Sequence, residues 1–68
     1  MRYARFKAII RSVCAKAAEG CVLRFKSEDG KYIAEYGDTM FESNSVAESI
    51  MVSVPNHQFL WKVGEQHG

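Results

Sequence analysis

The nucleophile candidates in this sequence are Cys14, Cys21 and several serines, and the imidazoles that could act as a general base or a metal ligand are His57 and His67. A catalytic cysteine needs a neighbouring base that favours its thiolate form. The pattern offers no such pair, because both cysteines fall on predicted core positions and His57 follows a predicted turn. Buried cysteine usually serves as a small apolar residue. We therefore expect that the chain is not an enzyme, with a small hydrolase as the weakest of the functional alternatives.

Residue types that bind metals and phosphates are present without the spacing that such sites need. The cysteines and histidines form neither a C-x-x-C nor an H-x-x-x-H pair. The five glycines are scattered, and none belongs to a phosphate-binding loop that leads into a helix. Glu35, Asp38 and Glu42 are better explained as charges on the solvent side of a hairpin than as paired catalytic carboxylates. The sequence therefore predicts no metal and no cofactor.

The composition is that of a folded chain without a membrane span. Of the 68 residues 47% are apolar, which is too many for a disordered chain. The longest apolar runs are short, whereas a membrane-spanning helix needs about 20 apolar residues. The basic start of the chain is followed by no apolar segment of a secretory signal. We therefore expect a cytoplasmic protein with free thiols, and a Cys14–Cys21 disulfide is the alternative that the sequence leaves open.

Apolar side chains recur at helical spacing near the start of the chain. They follow one helix face in the spacing i, i+3, i+4, i+7 and i+11: Phe6, Ile9, Ile10, Val13 and Ala17. Gly20 stands where a helix commonly ends, because glycine tolerates the left-handed cap conformation. The pattern predicts a helix over residues 3–18.

Beyond Gly20 the apolar period changes to two, which is typical of strands with one buried face. Three pairs of turn residues divide this part of the chain: Asp29-Gly30, Gly37-Asp38 and Pro55-Asn56. The predicted strands cover residues 21–28, 31–36, 39–43, 49–54 and 58–63. Ser45 to Glu48 match a capping box, which leaves a single helical turn or an irregular loop open. Residues 64–68 are expected to form a loose tail.

Two-residue turns determine which residues face each other across the strands. The outward pairs around the first turn combine opposite charges: Arg24 with Glu35, and Glu28 with Lys31. The inward pairs are apolar: Phe25 with Ala34, Ala34 with Phe41, and Val52 with Phe59. Such pairs stabilise a sheet. The sequence therefore predicts an α+β fold in a single domain over residues 1–68, an N-terminal helix packed on a four- to five-stranded antiparallel β meander.

Charge is distributed unevenly along the chain. Residues 1–18 contain five basic residues and no acid: Arg2, Arg5, Lys7, Arg11 and Lys16. Residues 19–68 carry four basic residues against eight acids, so a basic helix is expected on a net acidic sheet, with a total charge of +1. Both segments therefore provide a candidate docking surface.

The leading functional hypothesis is a non-catalytic protein-interaction module, a small regulator or inhibitor of a size that suits a phage or mobile-element product. Its expected contacts are the acidic residues around the hairpin turns, which would attract a basic protein surface: Glu28, Asp29, Glu35, Asp38 and Glu42. The outer sheet face offers a second route to a partner or a homodimer if its apolar residues cluster: Val22, Ile33, Met51 and Leu60.

The alternative is a nucleic-acid-binding protein that contacts phosphates through its basic helix. The residues involved would be Arg2, Arg5, Lys7, Arg11 and Lys16. The net charge of only +1 counts against this alternative.

Overall fold

A computed structural model describes residues 1–15 and 22–62 of the chain. Within these residues one helix precedes five strands: α1 (Tyr3–Cys14), β1 (Leu23–Glu28), β2 (Lys31–Tyr36), β3 (Thr39–Asn44), β4 (Ile50–Val54) and β5 (His57–Trp61). The strands form one antiparallel sheet in the order β1-β2-β3-β4-β5. The predicted α+β fold, a helix followed by an antiparallel meander, is therefore confirmed with five strands.

The register of the sheet agrees with the pairing predicted from the turns. The pairs include Arg24 with Glu35, Phe25 with Ala34, Ala34 with Phe41, and Val52 with Phe59. Side chains alternate between the two faces along each strand. Each turn therefore reverses the chain while the same set of apolar residues stays on the inner face.

The backbone of the first two turns explains this register. Asp29 and Gly30 have φ values of +50° and +78°, the two positive angles of a type I′ turn. In the second turn Gly37 has φ +61°, whereas Asp38 is not among the residues with positive φ. A positive angle at the first central residue alone is typical of a type II′ turn. Both turn types match the right-handed twist of the strands, which keeps the hairpins tight.

The core lies between α1 and the inner face of β1 to β4. Phe6 and Ile10 on α1 are fully buried, and so are Ala34 and Ile50 on the sheet. The Phe6 ring meets the Phe25 ring edge-on, with centroids 6.3 Å apart and an interplanar angle of 77°. Burying a phenylalanine or isoleucine side chain fully contributes about 1.5–3 kcal/mol. The helix is therefore fixed to the sheet chiefly through Phe6 and Ile10.

α1 begins at Tyr3, as predicted, but its C-terminal end differs from the prediction. The helix ends at Cys14 rather than at residue 18, because the N–H of Ala15 bonds to the Ser12 carbonyl, three residues back, at 3.4 Å. Residues 16–18 and Gly20 lie outside the described residues. At the other end the Met1 nitrogen donates to the carbonyls of Ser45 and Ala47 at 3.1 and 2.7 Å. These bonds connect the start of α1 to the β3–β4 connection.

The β3–β4 connection is an irregular loop, so the capping-box match does not form a helical turn. Asn44 organises it instead, because its Oδ1 accepts from the N–H groups of Val46 at 2.9 Å and Ala47 at 2.7 Å. The hydroxyl of Ser43, a residue only 6% exposed, donates to the Ser49 carbonyl at 2.8 Å. Side chains at the end of β3 therefore bond several backbone groups of this connection.

Several strand ends also need correction. The first strand begins at Leu23 rather than at residue 21. Leu23 pairs with Tyr36, which is the last residue of β2, so no residue of β2 lies opposite Val22. The fourth strand begins at Ile50 rather than at residue 49, and the fifth begins at His57, which pairs with Val54 directly across the turn. Cys21, Val63 and the predicted tail, residues 64–68, lie outside the described residues.

Candidate interaction surfaces

The sheet has an outer face that no described helix covers, since α1 packs on the inner face. Strand alternation assigns thirteen side chains to this outer face: Arg24, Lys26, Glu28, Lys31, Ile33, Glu35, Met40, Glu42, Asn44, Met51, Ser53, Gln58 and Leu60. An antiparallel sheet face that meets water is ordinarily polar. Four of these thirteen residues are apolar, and they make the face a candidate for binding.

The apolar residues of the outer face are neighbours. Met51 and Leu60 pair directly across β4 and β5. Met40 lies two residues from Glu42, the partner of both Met51 and Ile33, so it is a diagonal neighbour of each. Met40 is 38% exposed and Leu60 is 52% exposed, while Ile33 and Met51 are half-buried. We call these four residues the outer apolar stripe.

Charges of both signs lie beside the outer apolar stripe, on β1 to β3. The outer face carries three basic and three acidic residues: Arg24, Lys26, Lys31, Glu28, Glu35 and Glu42. Arg24 is paired with Glu35 across β1 and β2, and Lys31 Nζ lies 4.0 Å from Glu42 Oε2. The sheet is therefore not the single acidic surface that the count along the chain suggests, since the register places its acids beside its bases.

The five acidic candidates do not form one patch. Glu28, Glu35 and Glu42 belong to the outer face, whereas Asp29 and Asp38 lie in the turns at opposite ends of β2. A strand of six residues is roughly 20 Å long, so one ordinary contact patch does not easily join the two turns. The structure places three of the five on one face of the sheet and the other two in separate turns.

The basic helix is also divided. Lys7 Nζ lies 4.4 Å from the centroid of the Tyr3 ring, and Arg11 Cζ lies 5.2 Å from that of Phe25. Both cations therefore lie along one edge of α1, over aromatic rings. Arg5 is about 160° around the helix axis from Lys7 at 3.6 residues per turn. Arg2 and Arg5 are exposed, and Lys16 lies outside the described residues.

A second apolar surface lies on the inner face beside α1. A groove of about 370 Å³ is lined by Val13, Phe41, Val52, Phe59 and Trp61. Val13 is 45% exposed and Phe59 is 44% exposed, although both are predicted core residues. The reason is geometric, because five strands span roughly 19 Å whereas a helix is about 10–12 Å wide. We call this surface the inner groove. Its existence could have been predicted from the sequence, because one helix is narrower than a sheet of five strands.

The residues with catalytic or metal-binding chemistry are not assembled. Among residues 1–15 and 22–62, no three His, Cys, Asp or Glu side chains are grouped so that they could hold a metal ion. Cys14 is half-buried and packs against the core, and His57 stacks on Phe59 with ring centroids 5.4 Å apart. Cys21 and His67 lie outside the described residues. Cys14 and His57 are therefore described as packing residues, one at the core and one beside Phe59.

Comparison with known proteins adds no assignment. The chain matches no protein-family model, and no curated protein and no solved structure is significantly similar to it. In the part of the chain that the structure describes, no helix has the length and apolarity needed to cross a membrane. Any functional assignment therefore has to be argued from the surfaces themselves.

Proposed function

We propose that this chain is a non-catalytic protein-interaction module, a small regulator or inhibitor that binds another protein through the outer face of its sheet. The observation that supports this proposal is the outer apolar stripe, which lies open among charges of both signs. Protein interfaces commonly combine an apolar centre with a polar rim. The outer face supplies both kinds of residue, with charges on β1 to β3 and apolar side chains that extend from β2 to the β5 edge.

The balance of charge on the outer face favours a protein partner over a nucleic acid. Nucleic-acid affinity comes largely from basic residues that neutralise phosphates. The outer face has as many acids as bases, so it offers no net positive field. Its charges could instead select a protein partner, because complementary charges around an interface accelerate correct encounters and disfavour wrong partners. Glu28, Glu35 and Glu42 are the acids placed to take this role, with Asp29 and Asp38 beyond the ends of β2.

A homodimer through the outer face has less support. Val22 precedes β1 at one edge of the sheet, while Leu60 lies on β5 at the other. Glu42 is at the middle of the row that runs from Lys26 to Leu60. A twofold axis through the centre of this face would bring the Glu42 side chains of two copies together, where like charges repel.

Nucleic-acid binding through α1 is the second candidate. Arg2 and Arg5 are exposed, and residues 1–15 contain no acid. The candidate is weaker because Lys7 and Arg11 are at the other edge of the helix, over aromatic rings. A protein surface at the outer face and a phosphate surface at α1 are on opposite sides of the sheet, so substitutions separate them.

The proposal is tested by affinity capture from the native cell extract with three baits: the wild-type chain, Met40→Lys and Ala8→Lys. A lysine at position 40 stands opposite Glu35, so it adds a charge to the outer face without a like-charge clash in the sheet. Ala8 is exposed on α1, and its substitution adds the same charge elsewhere. We expect one protein to be retained by the wild type and Ala8→Lys and recovered about tenfold less by Met40→Lys, a loss of about 1.4 kcal/mol.

Two outcomes would overturn the proposal. One is equal recovery of the same protein by Met40→Lys, which would show that the outer face is not the binding surface. The other is the absence of any protein enriched above an unrelated bait of similar size. Circular dichroism of the three baits is the control that each of them is folded, so that a loss of binding is not a loss of structure.

A further inference from the structure

The two edge strands of the sheet differ in how they are protected against pairing. An exposed edge presents unpaired backbone groups, and natural proteins usually discourage pairing there with charged side chains. β1 carries Arg24, Lys26 and Glu28, whereas β5 has no Asp, Glu, Lys or Arg from His57 to Trp61. β5 is therefore the unprotected edge.

Apolar side chains are exposed on both faces of β5. Phe59 points to the inner face and is 44% exposed, and Leu60 points to the outer face and is 52% exposed. Phe59 also lines the inner groove with Val13 and Trp61. An additional strand at this edge would cover apolar surface on both faces of the sheet as well as pair its backbone.

The backbone groups available at this edge follow from the β4–β5 turn. Val54 and His57 flank its two residues, the position at which a β-turn forms its hydrogen bond. Bonded and non-bonded pairs alternate along an antiparallel ladder. His57, Phe59 and Trp61 therefore bond to β4, and the N–H and C=O groups of Gln58 and Leu60 point away from it.

We propose that β5 pairs with β5 of a second copy of this chain, antiparallel about a twofold axis at Phe59. Phe59 then faces Phe59 of the second copy as a non-hydrogen-bonded pair, the type in which side chains are closest. Gln58 and Leu60 of each copy exchange backbone hydrogen bonds with Leu60 and Gln58 of the other. His57 faces Trp61, so the register uses all five residues of the strand.

The charges select a second copy and this edge. In the proposed register no pair within β5 contains Asp, Glu, Lys or Arg, and the next residue, Lys62, falls opposite Asn56. The same arrangement of β1, with the axis at Lys26, would place Lys26 opposite Lys26 of the second copy, and like charges directly opposite destabilise a sheet. Self-pairing is therefore favourable at β5 and unfavourable at β1.

The dimer has a defined architecture. A twofold axis perpendicular to the sheet keeps both helices on the same face of a ten-stranded sheet. The two inner grooves then lie side by side, with the paired Phe59 rings between them. The outer apolar stripe of each copy stays open on the opposite face. Self-association is thus compatible with the proposed function and does not depend on it.

The test is sedimentation equilibrium of the purified chain, with Phe59→Lys, Phe59→Glu, their equimolar mixture and Ser27→Lys as a control at the exposed edge of β1. We expect the wild type and Ser27→Lys to approach the two-chain mass with rising concentration. Each Phe59 variant alone should dimerise at least about tenfold more weakly because like charges oppose each other. Their mixture should recover the two-chain mass, since lysine then faces glutamate.

Amide hydrogen exchange of the wild type supplies a readout that needs no substitution. The amides of Gln58 and Leu60 should become more protected as the protein concentration rises, while that of Ser27 at the β1 edge should not. The one-chain mass at all concentrations up to about 1 mM, a range that detects even millimolar association, would overturn the proposal. So would protection that rises at β1 instead, or a dimer that both Phe59 variants leave unchanged. These measurements use the chain alone, so a result against the dimer does not bear on the capture of a partner through the outer face.

Discussion

Val52 and Phe59 are direct partners across β4 and β5, yet Val52 is 5% exposed and Phe59 is 44% exposed. The difference marks where the cover of α1 ends. Val52 lies within the core that Phe6 and Ile10 complete, and Phe59 lies one strand beyond it. A single helix thus divides the inner face into a buried part that stabilises the fold and an apolar margin available for pairing.

Substitutions along the apolar face of α1 should lower the free energy of unfolding by different amounts on the two sides of this division. Ile10→Ala removes a fully buried side chain and should lower the free energy of unfolding by about 2–5 kcal/mol. Val13→Ala, in the same predicted stripe but 45% exposed, should cost less than about 1 kcal/mol. Urea denaturation followed by circular dichroism measures both. Equal losses for the two variants would show that α1 covers the inner groove in solution.

The first turn should depend on backbone conformation alone. Gly30 has φ +78°, and a Cβ added there would meet no atom within 4 Å. Gly30→Ala should therefore destabilise the chain by about 1–2 kcal/mol through left-handed strain rather than through a clash. Asp29→Asn is the matched control, because asparagine tolerates the φ of +50° at position 29. A neutral Gly30→Ala in urea denaturation would contradict the type I′ geometry.

The acids of the outer face should matter more for binding than those of the turns. Neutralising Glu28, Glu35 and Glu42 to glutamine should weaken capture of the partner, because these residues share the outer face with the outer apolar stripe. Neutralising Asp29 and Asp38 to asparagine should have a smaller effect, since these side chains lie at opposite ends of β2. Comparison of the two variants as baits, with thermal denaturation as the folding control, measures the difference. Equal loss in both would indicate contacts through the hairpin turns.

Affinity for nucleic acid should be weak. Fluorescence anisotropy with a duplex DNA and a single-stranded RNA at about 50 mM salt gives phosphate contacts their best chance. We expect no saturable binding at micromolar protein, because the helix cations occupy two edges of α1. Tight binding that weakens with salt and is lost in Arg2→Gln/Arg5→Gln would instead support the nucleic-acid alternative.

The local rules predict the sheet well. Asp29-Gly30 and Gly37-Asp38 set the chain reversals, and the alternation of residues such as Phe25 and Ala34 sets the inner face. These signals are confined to neighbours in sequence or across one turn. The β3–β4 connection is less predictable, because the side chain of Asn44 accepts from the N–H groups of Val46 and Ala47 and the loop forms without a helical turn.

The surfaces are harder to predict because they depend on how elements are placed relative to one another. Counting charges along the chain separates a basic segment from an acidic one, but the register sets Arg24 beside Glu35 and Lys31 near Glu42. Likewise Val13 and Phe59 fit their apolar patterns and still face solvent, since the width of the sheet exceeds that of the helix. The single-domain organisation over residues 1–68 stays a prediction.

The central claim, recognition of a protein through the outer face, can be measured on the methionine methyl groups. The chain has three methionines: Met40 and Met51 belong to the outer apolar stripe, whereas Met1 packs against the core from the other side of the sheet. Methyl-labelled methionine spectra recorded while the captured protein is added should show the Met40 and Met51 signals shift or broaden while the Met1 signal stays in place. A change confined to Met1, or unchanged Met40 and Met51 signals in a complex that has formed, would contradict the account.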